Sequence, residues 1–265
     1  MWLLLPIAVL YIAVAVLPFA VMVRESFAAG WNEYAKVLAN PLLLPTVENT
    51  VVISILTAVV SVATGYVLAV ALWQNGPRVR IFLLIFILLP FWTGVLVKNF
   101  AWEELLQHSG PINNLVQAWG LSAGPLPLLH NRFAVIVGMV HYALPYAIFP
   151  IFATMIAIDD RLSRAARSLG ASSLRVFWHI TLPLTLPGVY ASALLVFVIA
   201  TGFFITPVIL GGPADMMVSN LINYYVHEIV DLNGAAALGV LFTAAVSLLI
   251  LIYQRLPKEG QHGAT

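Results

Sequence analysis

The chain has 265 residues, 62% of them hydrophobic and only 9% charged, with 12 Lys and Arg against 11 Asp and Glu. A soluble domain carries about 25% charged residues, so a mean hydropathy of +0.98 excludes an ordinary soluble enzyme and points to an all-α polytopic membrane protein. Cysteine is absent, which removes disulfides, thiolate metal sites and cysteine nucleophiles from consideration.

Runs of about 20 apolar residues are long enough to cross a bilayer as helices. Six such runs occur, at roughly 2–23, 47–72, 81–100, 133–157, 186–209 and 234–253. The first reads as a retained span rather than a signal peptide, because Met1-Trp2-Leu3 offers no basic leading region and the apolar run exceeds a signal core. After the third run comes the longest outer loop, Lys98 to Arg132. Its patterns Trp102-Glu103-Glu104-Leu105-Leu106 and Ile112-Asn113-Asn114-Leu115-Val116 predict two short interfacial helices split by Gly110-Pro111. The fourth run contains Pro145 and Pro150, which predict a broken or kinked ladder of helical hydrogen bonds.

A polar island, Asp159 to Pro187, follows. Asp159 and Asp160 stand where a helix N-terminus favours acids, and Gly170 stands where the helix would stop. At about 100° per residue, Leu162, Ala165, Ala166 and Leu169 share one arc, with Arg161, Arg164, Arg167 and Ser168 opposite. Ser172 or Ser173 is expected to cap a second short helix through Arg175, Phe177 and Trp178, which Ile180-Thr181-Leu182-Pro183 would end. An ordinary basic loop lacks both the ordered apolar face and the Val176-Phe177-Trp178 cluster, so the island reads as a docking device.

Beyond the fifth run, Thr206-Pro207 and Leu210-Gly211-Gly212-Pro213-Ala214-Asp215 form a Gly/Pro break, and Met216 to Val230 is half polar, as a short outer helix would be. With no repeat, low-complexity tract or long linker, residues 1–265 read as a single transmembrane domain containing a cytoplasmic segment at 159–183.

Lys and Arg set the orientation. Arg78, Arg80, Arg161, Arg164, Arg167, Arg175, Arg255 and Lys258 fall on one side against Arg24, Lys36, Lys98 and Arg132 on the other. This places the island and both termini in the cytoplasm. The outer side gathers Glu25, Glu33, Glu48, Glu103, Glu104, Asp215, Glu228 and Asp231, a net acidic face that favours a cationic solute.

No phosphate-binding loop, zinc-protease helix or nucleophile elbow occurs. The six histidines, His108, His130, His141, His179, His227 and His262, have no i,i+4 metal pair. No catalytic residue and no metal site is therefore expected. Trp102 beside Glu103 and Glu104 has the composition of an amine site, carboxylates plus an aromatic face, although a hydrated acid pair next to an interfacial tryptophan has it too. Trp92, Tyr142, Tyr146 and Phe204 fall within spans, and with Asp215 complete the candidate solute pathway; packing or lipid contact is the other reading of those aromatics. Lys98 and Glu48 sit near span ends, where snorkelling accounts for them.

Arg164-Ala165-Ala166, then Gly170, then Ile180-Thr181-Leu182-Pro183 resembles the EAA motif of permease subunits in type I ATP-binding-cassette importers. Arg164 departs from that pattern, which has Glu there, so an ion pair made by that Glu is lost or reversed in sign. Glu48-Asn49-Thr50, Ala101-Trp102, Gly110-Pro111-Ile112-Asn113, Leu144-Pro145-Tyr146 and Leu210-Gly211-Gly212-Pro213 extend the resemblance along nearly the whole chain, and it is greatest to the first permease of spermidine/putrescine transporters. Related permeases for iron, thiamine, opines or aminophosphonates are similar.

The resemblance implies six transmembrane helices in the bacterial inner membrane, a second permease subunit, two cytoplasmic ATPase subunits and a periplasmic solute-binding protein, with no nucleic acid. It also implies no cofactor in this chain, ATP and magnesium belonging to the ATPase. Arg164, Ala165, Ala166, Gly170, Ile180, Leu182 and Pro183 would then couple to the ATPase. A stand-alone channel or secondary transporter would require midplane charges or inverted repeats. A membrane enzyme would require converging His, Asp, Glu or Ser. The spans offer neither.

Overall fold

The computed structural model describes residues 5–255. The start of the first expected span, including Met1-Trp2-Leu3, and the terminal Lys258, Glu259, His262 and Thr265 lie outside the described residues. Within them the chain is helical, with no strand: α1 (Leu5–Ser26), α2 (Asn32–Leu38), α3 (Leu43–Gln74), α4 (Pro77–Leu88), α5 (Val95–Leu106), α6 (Pro111–Ala118), α7 (Arg132–Ile156), α8 (Asp160–Ser168), α9 (Ser173–Val176), α10 (Leu182–Thr201), α11 (Ile205–Leu210), α12 (Val218–His227) and α13 (Leu232–Arg255).

Five helical stretches among the described residues are long and apolar enough to cross a membrane, and a bent pair counted as one span brings the number to six. That pair replaces the single helix expected at 81–100. The segments Pro77–Trp92 and Val95–Ala118 meet at 99°, after a 3₁₀ turn over Leu89–Trp92. Pro90 starts that turn and Gly94 opens the next helix. Broken backbone at membrane depth is tolerated where it is packed in protein or lines a cavity.

The fifth span also differs from its expected limits of 186–209. It starts at Ser173 and reaches Thr201 without interruption. Pro183 does not end the helix as its position suggests, because Phe177–Thr181 form one turn of π-helix immediately before it and Pro183 enters the first turn of α10. The wider turn makes room for a residue without an N–H, the place where proline is tolerated. The real stop is Gly202, and Ile205–Leu210 is a separate short helix. Nor does α7 break at Pro145 or Pro150. Ala143, Ala147, Ile148 and Ile151, which surround the two prolines, are buried against neighbouring helices, and that packing holds α7 through the missing donors.

The described residues gather into two compact units, one built from the two ends of the chain and the other from Thr46–Met217. In the first, α1 and α2 pack on α13. The Asn40 side-chain amide donates to the Tyr225 hydroxyl at 2.6 Å, and the Asp231 carboxylate accepts from the Gly234 N–H at 2.9 Å. Glu33 is buried and takes the Lys36 ammonium at 2.6 Å.

The second unit is centred on α3, α7 and α10. Its core alternates large side chains such as Ile53, Met139, Ile148, Met155 and Val196 with small ones that let helices approach: Ala58, Ala69, Ala143, Ala147 and Ala200. Gly188 is the closest approach. A Cβ there would stand 2.7 Å from the Pro150 carbonyl oxygen and collide with the Thr154 hydroxyl. Arg80 closes the far end of α3 by donating to the Leu72 and Trp73 carbonyls at 2.8 and 3.3 Å, which satisfies acceptors that the helix end leaves open.

Candidate functional site

The island folds as its charges dictate. The Asp159 carboxylate accepts from the Arg161 N–H at 2.9 Å and starts α8, Arg167 lies in the last turn, and Gly170 turns the chain at φ +85°. The Ala171 N–H then donates back to the Ala166 carbonyl at 3.0 Å, closing the helix end. Nothing lies within 4 Å of a Cβ built at Gly170, so its backbone angle alone requires glycine. Ser172 caps α9 by accepting from the Arg175 N–H at 3.4 Å.

One side of the island is anchored and the other is open. Val176 and Thr181 are buried, and the Phe177 ring meets the Tyr66 ring edge-on at 6.0 Å. Tyr66 in turn shares a hydrogen bond of 3.0 Å with Thr185. Leu162, Leu174 and Leu169 are exposed, Leu169 at 90%, while Ala165 is exposed and Ala166 half-buried. Ile180 and Leu182 are half-buried and Pro183 is exposed. Among the described residues Arg164 makes no ion pair. An apolar strip with nothing upon it thus projects from a firmly rooted base.

A second constellation lies in the same unit, where α7 passes the break between α4 and α5. A cavity of about 130 Å³ is walled by Phe86, Pro90 and Phe91 on one side, Lys98 on α5, and His141, Tyr142 and Pro145 on α7. Tyr142 and Tyr146 stack with centroids 5.8 Å apart, Phe203 meets Tyr142 edge-on at 4.7 Å, and Phe91 meets Tyr146 at 5.8 Å. The Lys98 ammonium stands 5.0 Å above the centre of the Tyr142 ring. Trp102, one α5 turn further on, donates its indole N–H to His141 Nδ1 at 3.0 Å. Tyr142 is the eleventh residue of α7, about 15 Å along the helix. That is near the middle of the span.

The structure therefore brings together Trp102, Tyr142 and Tyr146 among the residues expected to line a pathway. It adds Lys98, His141, Phe91 and Phe203. Phe203 packs on Tyr142, and the neighbouring Phe204 is half-buried like it. Trp92 is 86% exposed at the break and lies with Ile81, Leu84 and Ile85 on the other surface of α4. Glu103 is half-buried and Glu104 exposed, and Glu104 accepts from the Gln107 amide.

Asp215 belongs to a different arrangement. It is buried, accepts from Arg132 Nε at 3.3 Å through one oxygen and from the Gly212 N–H at 3.2 Å through the other. Arg132 also donates to the Asn49 side-chain oxygen at 2.7 Å, and Asn49 donates to the Ala214 and Met216 carbonyls at 2.6 and 3.1 Å. These contacts clamp the Gly211-Gly212-Pro213 turn onto α3 and α7. Asn49 and Arg132 are functional-looking polar residues that sequence patterning passes over, since their partners lie 83 or more positions away.

A bundle of apolar helices with a broken span, an aromatic cavity at mid-depth and a basic amphipathic segment is the architecture of a transport permease. The chain belongs to the family described as binding-protein-dependent transport system inner membrane component, whose model matches residues 1–257. It is 33% identical over 223 residues to the spermidine/putrescine transport system permease protein PotB of Haemophilus influenzae, covering 83% of this chain and 77% of that protein. To the PotB of Escherichia coli it is 30% identical over 224 residues, covering 84% and 81%. Among solved structures, a bacterial alginate ABC transporter in complex with alginate pentasaccharide-bound periplasmic protein contains a chain with TM-score 0.80 at 17% identity, covering 95% of this chain and 91% of that one. That likeness is one of fold. The chain is thus a multi-pass inner-membrane permease.

Proposed function

We propose that this chain is the transmembrane permease subunit of an ATP-driven importer that moves a polyamine, spermidine or putrescine, or a related organic cation, from periplasm to cytoplasm. The observation that carries the reading is the identity of 30–33% to spermidine/putrescine permeases across more than four-fifths of the chain. The stacked Tyr142–Tyr146 pair at mid-span supports it, since aromatic faces attract organic ammonium groups.

In this reading the two units work as one permease domain beside a second permease subunit. A periplasmic binding protein delivers the solute at the acidic outer side, and both termini are cytoplasmic. Two cytoplasmic ATPase subunits bind ATP and magnesium, and this chain carries no cofactor or catalytic group. The docking segment meets one ATPase through Ala165, Ala166 and the turn at Gly170, with Ile180, Leu182 and Pro183 continuing into the span. Arg164 presents a cation where the family pattern has an acid, so its counterpart on the ATPase is an acid. The solute path runs by Trp102, Tyr142, Tyr146 and the cavity, with Glu103 and Glu104 supplying outer negative charge that steers cations and weakens with salt.

The test is reconstitution of the complete transporter in proteoliposomes with its binding protein. ATP-dependent uptake of radiolabelled spermidine or putrescine is the expected result. A binding protein that prefers an anion such as sulfate, together with no polyamine uptake, refutes the solute; a chain that transports without an ATPase refutes the permease-subunit reading.

A further inference from the structure

Lys98 is an unexpected group to find in a cation's path. Its ammonium lies on the face of Tyr142, within the roughly 6 Å over which a cation and a ring attract, and both line the cavity beside the break in the third span. Among the described residues no carboxylate lies within ion-pair distance of it; the ion pairs are Arg24–Glu25, Lys36–Glu33 and Arg132–Asp215. The other polar neighbour in the cavity is His141, whose Nδ1 is already committed to the Trp102 indole. The Tyr142 ring is the one cation-attracting partner the structure gives Lys98.

That ring is also built as a cation platform. Tyr146 stacks with it and Phe203 meets it at a steep angle, so its orientation is fixed by packing. A fixed aromatic face at the centre of a membrane span, open to a cavity, is a site for an ammonium. Here the protein's own ammonium occupies it. Two like charges on one ring repel, whereas the lysine stem, four methylenes with free rotation, swings away easily.

Resting on the organic-cation reading above, we infer that the Tyr142 face is an amine-binding subsite of the pathway and that Lys98 is its built-in competitor, capping the subsite when it is empty and displaced by the solute's ammonium. Lys98 would then set the strength with which the pathway holds an amine.

The experiment measures ATP-dependent uptake of radiolabelled spermidine by the complete reconstituted transporter at a limiting concentration of loaded binding protein. Co-purification of the ATPase reports assembly of every variant. Lys98→Gln removes the competitor and is expected to raise uptake about two- to fivefold, the range that an exposed cation–π contact is worth. Lys98→Arg, which keeps the charge, stays below Lys98→Gln. Tyr142→Leu lowers uptake and abolishes the gain from Lys98→Gln in the double variant, because competitor and solute share that one face.

Uptake unchanged or reduced in an assembled Lys98→Gln transporter overturns the inference, as does a gain that persists with Tyr142→Leu. If the wild-type transporter takes up no polyamine, the solute reading fails, and with it the subsite's ligand. If it takes up polyamine but Lys98→Gln shows no gain, the competitor alone fails.

Discussion

Replacing Asp215 by alanine removes two acceptors at once, one from the Arg132 guanidinium at 3.3 Å and one from the Gly212 N–H at 3.2 Å. The carboxylate is buried, whereas the Arg132 side chain is 43% exposed, so the cation left behind stays partly hydrated. Breaking a fully buried pair costs about 3–5 kcal/mol, and exposure of one partner lowers that sharply. A hydrogen bond to a charged group contributes about 1.5–3 kcal/mol, which makes about 2 kcal/mol a reasonable total for Asp215→Ala. For a chain of this size that corresponds to roughly 4–8 °C in midpoint, taking about 2–4 °C per kcal/mol.

Thermal unfolding of the purified transporter in detergent measures it. Asn49→Ala is expected to be non-additive with Asp215→Ala, since Asn49 and Asp215 hold the same guanidinium. A midpoint within about 1 °C of wild type for Asp215→Ala, on that same scale, or strict additivity with Asn49→Ala, refutes the clamp.

Gly188→Ala places a methyl 2.7 Å from the Pro150 carbonyl and against the Thr154 hydroxyl, so it should destabilise the α7–α10 contact by about 1–3 kcal/mol, the usual cost of overpacking, read in the same unfolding assay. Ala166→Asp, on the half-buried small-residue face of α8, should leave the protein in the membrane but uncouple it; solute-stimulated ATP turnover near wild type in proteoliposomes would count against the docking role. Glu33 raises the pKa of Lys36 by accepting its hydrogen bond and by its charge. A raised lysine pKa means that the pair's contribution is fully present below the ordinary value, roughly 10.4, and is lost as the pH climbs through the folded value. Lys36→Met should therefore flatten the alkaline limb of the unfolding profile.

Hydropathy alone shows the spans, because every crossing needs its apolar length wherever the helix points. A 99° bend at Thr93 and Gly94 leaves the apolar run intact, so the third span reads as straight although its chemistry depends on the break. Pro183 misleads for the opposite reason: proline usually marks an end, and the π-turn that admits it leaves no compositional trace.

The island is legible almost residue by residue, since caps, a left-handed glycine and a charged face are local signals. The cavity is legible only in part. Tyr142 and Tyr146 share a helix face, but Lys98 joins them from another helix, and from sequence snorkelling accounts for it. Phe203 joins them from beyond Gly202, where α10 stops and the helical period no longer says which face a residue takes. Asp215 reads as an outer acid because its arginine lies 83 positions earlier.

The π-turn has a mechanical consequence. By joining α9 to α10 it makes Ser173–Thr201 one continuous helical rod of 29 residues, about 43 Å long at the usual helical rise. Helix α8 adjoins one end, and Phe203, at a steep angle to Tyr142, stands two residues beyond the other. Tilting a rod of that length by about 5° carries its tip roughly 4 Å, enough to slide a phenyl ring off its neighbour. In the importer proposed above, a modest push at the α8 end would be magnified into opening or closing of the aromatic stack.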